Sequence, residues 1–161
     1  MFLMTIKKLI TTSMEGVRPI GITVIIFLAY YLHTDPVAFF HFLGPSIVIL
    51  MCGTVAFEGL FLGKVASEKI GYTPNRAYQI QSALNHLATA ITAILVLIFN
   101  WGRFADATIV TVMLVVFTLS GSNHLFNAIK EKNFKPVNLM RPALSLILLI
   151  FLIPPMLRAL G

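Results

Sequence analysis

An all-α bundle of membrane-spanning helices is the fold class this sequence predicts, and three observations predict it. First, 58% of the 161 residues are hydrophobic and only 11% are charged, where a soluble domain carries about 25% charged residues. So few charges cannot solvate a surface in water, but they suit one in lipid. Second, five apolar runs, at residues 17–32, 41–62, 77–99, 104–126 and 139–157, alternate with short polar connections. A helix rises ~1.5 Å per residue, so ~20 apolar residues cross a hydrocarbon core of ~30 Å. Third, the bases are asymmetric. Lys7, Lys8, Arg18, Lys64, Lys69, Arg76, Lys130, Lys132, Lys135 and Arg141 fall at the N-terminal end or in and beside the second and fourth connections, and only Arg103 and Arg158 fall on the other side. Cytoplasmic segments collect Lys and Arg, which predicts a multi-pass protein of the cytoplasmic (inner) membrane with its N-terminus inside and its C-terminus outside.

Residues 1–14 are too polar to span. Phe2, Leu3, Ile6, Leu9, Ile10 and Met14 recur at helical spacing opposite Lys7, Lys8, Thr11 and Thr12. That pattern predicts a short amphipathic helix on the inner membrane surface, or else an extension of the first span. The first run is short, and Pro19 suits the first turn of a helix starting there. If this run lay flat, four spans would remain. The bases precede an apolar run with no small-x-small cleavage site after it, so the segment reads as a retained anchor.

The remaining boundaries follow turn chemistry. Asp35-Pro36 marks the first outer connection. Residues 63–75 read as an inner loop punctuated by Gly71 and Pro74, with Pro74 opening the third span. Trp101, Gly102 and Arg103 form a tight outer turn, with Trp101 at interface level. Residues 130–141 form the second inner loop, and Pro154-Pro155 is expected to kink or end the last helix. The whole of 1–161 reads as a single transmembrane domain.

Several function classes are excluded or disfavoured. The formal charge of +6 belongs to helix ends facing anionic headgroups rather than to nucleic acid. Cys52 stands alone inside a span, so there is neither a disulfide framework nor a cysteine metal motif. No P-loop, dinucleotide fingerprint, G-x-S-x-G or H-E-x-x-H is present. No nucleophile–base pair is visible, which argues against an enzyme.

Polar residues within the spans are the candidates for function, because an unpaired charge there costs several kcal/mol. Glu58 lies six residues before Lys64, and His124 lies six before Lys130. Each is ~9 Å below the inner boundary at ~1.5 Å per residue. Gln81 is five residues past Arg76, a similar depth of ~7.5 Å. The expectation is one buried hydrogen-bonded cluster of Glu58, Gln81 and His124, extended by Asn85, His86 and Asn123. Gly59 and Gly63 form a small-xxx-small pair beside it, favouring close helix packing. His86 and His124 are also the weak candidates for holding a metal or a haem iron. His33 and His41, flanking the first outer connection, are a weaker metal pair.

Phe57-Glu58-Gly59-Leu60-Phe61, Tyr78-Gln79, Asn85-His86-Leu87-Ala88, Gly121 with His124, and Asn133-Phe134 with Pro136 carry a family resemblance. From Phe57 to about Ile150 the chain resembles a family of small prokaryotic membrane proteins known only as a domain of unknown function. The resemblance implies location and fold, and no reaction. The residues then support an accessory or complex-forming membrane subunit, a homo-oligomer or a partner of other membrane subunits. The alternative is a transporter-like or small-molecule-binding protein with a cytoplasm-facing polar cavity around Glu58, Gln81 and His124.

Overall fold

A computed structural model describes residues 2–161, with only the backbone described for Phe2, Leu3 and Val137. Met1 and the side chains of Phe2 and Leu3, all part of the amphipathic stretch read from the sequence, lie outside the described residues. Every regular element among the described residues is helical. They are α1 (Phe2–Leu32), α2 (Pro36–Phe57), a π-helical turn (Glu58–Leu62), α3 (Gly63–Ile70), α4 (Arg76–Phe99), α5 (Arg103–Lys130) and α6 (Pro136–Leu160). Five helical stretches are long and apolar enough to cross a membrane: Met4–Leu32, Pro36–Ile70, Arg76–Phe99, Arg103–Lys130 and Asn138–Leu160.

Local chemistry sets the starts. Asp35 caps α2 by accepting from the Ala38 N–H at 2.8 Å, with Pro36 in the first turn. Asn75 caps α4 through the Tyr78 N–H at 3.1 Å, so α4 opens at Arg76 and not at Pro74. Gly71 ends α3 in the left-handed region at φ 83°. Its N–H reaches the Glu68 carbonyl, while the Tyr72 N–H reaches that of Ser67 at 2.9 Å, a Schellman closure that only glycine makes without strain.

Three boundaries differ from the sequence reading. α1 runs unbroken through Pro19, so the amphipathic stretch is the beginning of the spanning helix. A proline withdraws one N–H, and here that frees only the Glu15 carbonyl. Residues 63–70 are helix and not loop. Lys64, Glu68 and Lys69 lower the hydropathy there without lowering helix propensity. α6 continues past Pro154 and Pro155 to Leu160, so those prolines do not end it.

α2 is the central helix and packs on α1, α4, α5 and α6. Its partners bury an apolar core in which Phe40, Ile47, Met51, Val110, Met113 and Leu152 are sealed. One end of the bundle gathers α3, the α5–α6 connection and the N-terminal turns of α1. The carbonyl of Ile70 accepts from Asn133 at 2.9 Å and from the buried Asn138 at 3.1 Å. Lys69 pairs with Glu15 at 2.8 Å. This is the basic end, carrying Lys64, Lys69, Lys130, Lys132 and Lys135. At the opposite end Arg103 donates to the Ala159 carbonyl at 3.4 Å. The backbones of α1 and α6 stay apart among the described residues. Between them lie a space of about 280 Å³ at the basic end, floored by Glu58 and α3, and one of about 500 Å³ at the other end, floored by the start of α2.

Candidate functional site

Towards the basic end the bundle turns from apolar to polar around the π turn. A π turn adds a residue to the helical repeat, which displaces backbone carbonyls from their usual partners. Here those carbonyls are claimed by α4. Arg76 donates to Gly59 at 2.8 Å and to Leu60 at 2.6 Å, and Gln79 donates to Gly63 at 3.1 Å and to the Ser67 hydroxyl at 2.7 Å. Such close approach needs glycine. A methyl on Gly59 would stand 2.6 Å from that of Ala83, and one on Gly63 would run into the Gln79 side chain. The Gly59–Gly63 seam is therefore occupied by α4 of the same chain.

Glu58 opens the π turn and forms an ion pair with Arg18 of α1. Arg18 also donates through Nε to the Thr54 hydroxyl at 3.0 Å. Both charged side chains are largely withdrawn from solvent, at 15% and 13% exposure. A second group forms around His124 of α5. The ring stacks on Tyr72, with centroids 5.5 Å apart. Nε2 accepts from Arg141 of α6. Arginine has donors only, so the ring proton belongs on Nδ1, 3.1 Å from the Tyr72 hydroxyl.

Between these groups lies a cavity of about 200 Å³. Arg18, Glu58, Gln79, His86, Arg141 and Ser145 are among its polar lining residues. Gln79 Oε1 is buried and lacks a hydrogen-bond partner among the described residues. His86 meets the edge of Phe117, with centroids 5.7 Å apart.

The residues singled out from sequence are thus divided. Glu58 and His86 face the cavity, and His124 stands behind Arg141. Gln81, Asn85 and Asn123 are exposed on the bundle's outer surface, and their side chains make no hydrogen bond among the described residues. The single cluster expected around Glu58, Gln81 and His124 is replaced by two groups. Each is completed by an arginine, Arg18 or Arg141, whose position in the sequence suggests the membrane boundary. Depth was readable, but direction was not. On α4 the polar residues circle the helix, and packing on the π turn turns Gln79 and His86 inward and Gln81 and Asn85 outward. The signal that points to Arg18 is Glu58 itself, since a carboxylate at that depth needs a cation.

The opposite end holds a pair that the sequence reading missed. His41 Nδ1 lies 3.0 Å from the Asp106 carboxylate, and Asp106 is 1% exposed. Asp106 sits in the first turn of α5, where a negative charge is favoured. His41 thus packs against α5, while His33 meets the Phe42 ring. Among the described residues no three His, Cys, Asp or Glu side chains gather as a metal site. Both ring nitrogens of His124 are already engaged, which leaves it no lone pair to offer iron or a metal.

Residues 37–160 match a family described as a family of unknown function, DUF6790, and the chain belongs to that family. No curated protein and no solved structure matches the chain.

Proposed function

We propose that this member of the family is a non-catalytic, complex-forming subunit of the cytoplasmic membrane that assembles with a second copy of itself through α4. The carrying observation is the outward stripe of Gln81, Asn85, Ala88 and Thr92. All four are exposed, and their 4-3-4 spacing places them on one face of the helix. A primary amide left in hydrocarbon without a partner costs a few kcal/mol. Membrane helices remove that cost by hydrogen-bonding across an interface of small and polar residues. Glutamine and asparagine each donate and accept, so two copies of the stripe complement each other without any charge. Ala88 at its centre lets two backbones approach.

In this reading the whole chain acts as one transmembrane unit. The basic end faces the cytoplasm, as the distribution of Lys and Arg favours, which puts the N-terminus inside and the C-terminus outside. The test is particle mass by light scattering in mild detergent. The expected result is a multiple of 17.8 kDa that falls to a single subunit in a Gln81→Leu, Asn85→Leu double variant. A wild-type monomer, in detergent and after crosslinking in native membranes, overturns the proposal.

A further inference from the structure

The groove between α1 and α6 widens at the basic end into a space of about 280 Å³ whose polar residues are Thr11, Glu15, Arg18, Glu58, Lys69 and Arg141. Three are bases and two are acids, and both acids are already spoken for. Glu58 holds Arg18, and Glu15 holds Lys69 at 2.8 Å. Arg141 has no carboxylate within ion-pair distance among the described residues. Of its five N–H donors, the one hydrogen bond formed among the described residues goes to the His124 ring, which accepts it through Nε2. Arg141 is partly buried, and a guanidinium there with donors to spare favours an acceptor, an anion best of all.

The surroundings identify the anion's carrier. The space lies between α1 and α6, whose backbones stay apart. Its other wall is apolar, formed by Met140, Ala143, Leu144 and Ile147 of α6. Met140 and Ile147 are exposed. A small soluble anion would use the bases and leave that wall bare. We propose that this end of the groove binds an anionic phospholipid. Arg141 and Lys69 bracket its phosphodiester, Arg18 reinforces the positive field, and an acyl chain lies along Leu144 and Ile147. Basic pockets between spanning helices at the cytoplasmic face suit such headgroups. The excess of one base over the paired acids selects an anionic lipid over a zwitterionic one.

Native mass spectrometry of the purified full chain, titrated separately with phosphatidylglycerol and phosphatidylcholine of matched acyl chains, tests this. The expected result is a preference of about tenfold for phosphatidylglycerol, with one tight site per subunit. Arg141→Gln lowers that preference about fivefold or more, the worth of one base near an anionic headgroup. Lys69→Gln, at the rim of the groove, lowers it in the same direction and carries the test if Arg141→Gln does not fold. Lys130→Gln, which removes a base outside the groove, leaves it unchanged. Equal binding of the two lipids overturns the proposal, as does a wild-type preference in folded Arg141→Gln or Lys69→Gln. Displacement of phosphatidylglycerol by millimolar inorganic phosphate also overturns it, because the site would then be one for a soluble anion.

Discussion

Replacing Glu58 by glutamine asks how much of the bundle's stability rests on the ion pair that joins α1 to the π turn. The substitution keeps the shape and an acceptor oxygen but removes the charge, so Arg18 keeps its hydrogen bond to Thr54 and at most a neutral one to the amide. At a separation of 4 Å and an effective dielectric of about 20, two unit charges attract by about 4 kcal/mol. Breaking a buried pair from one side costs about 3–5 kcal/mol. This pair is 15% and 13% exposed and borders a cavity, so the low end of that range applies. We expect Glu58→Gln and Arg18→Gln each to destabilise by about 3 kcal/mol, and Glu58→Leu by at least as much. The Arg18→Gln, Glu58→Gln double variant should cost well under the sum, giving a coupling of about 2 kcal/mol or more. The assay is reversible unfolding in mixed micelles followed by far-ultraviolet circular dichroism. A coupling below about 0.5 kcal/mol, the value of an exposed pair, would refute the reasoning and reduce the contact to a surface one.

Gly59→Val should destabilise by about 1–3 kcal/mol through overpacking, because its Cβ would stand 2.6 Å from the Ala83 methyl; the same micelle unfolding measures it. Asn138→Ala should cost about 1–3 kcal/mol, since this fully buried amide donates to Ile70 at 3.1 Å and to Asn133 at 3.2 Å, and hydrogen exchange at residues 70–75 should speed up. Reporter fusions after Lys132 and after Gly161 should report opposite sides of the membrane, and an N-terminal tag should report the Lys132 side. A tag on the side opposite Lys132 would leave only four spans.

The five spans were legible because runs of apolar residues flanked by bases carry their own signal, independent of neighbours. The ends were not. Charged but helix-forming residues such as Lys64, Glu68 and Lys69 look like loop until Gly71 is recognised as the real stop. Of the candidate site, depth was legible and direction was not. Glu58 sits where a π turn breaks the 3.6-residue repeat, so a helical wheel misplaces its neighbours. Arg18 and Arg141 were legible as bases but not as intramembrane partners, because their position at the very ends of the apolar runs suggested the boundary. The polar ring of α4 carried residues for two surfaces. Nothing local to Gln79 or Gln81 says which faces the π turn, and the contact with Gly63 decides it.

The central claim is self-association through the outward stripe of α4, and disulfide crosslinking in native membranes tests it most directly. Cys52 is buried and contributes little background. A cysteine at Asn85 should yield a covalent dimer on mild oxidation, at twice the 17.8 kDa of the subunit. A cysteine at Leu146, exposed at a similar depth on α6, should yield none. Crosslinking at Leu146 and not at Asn85, or at neither, would contradict the account.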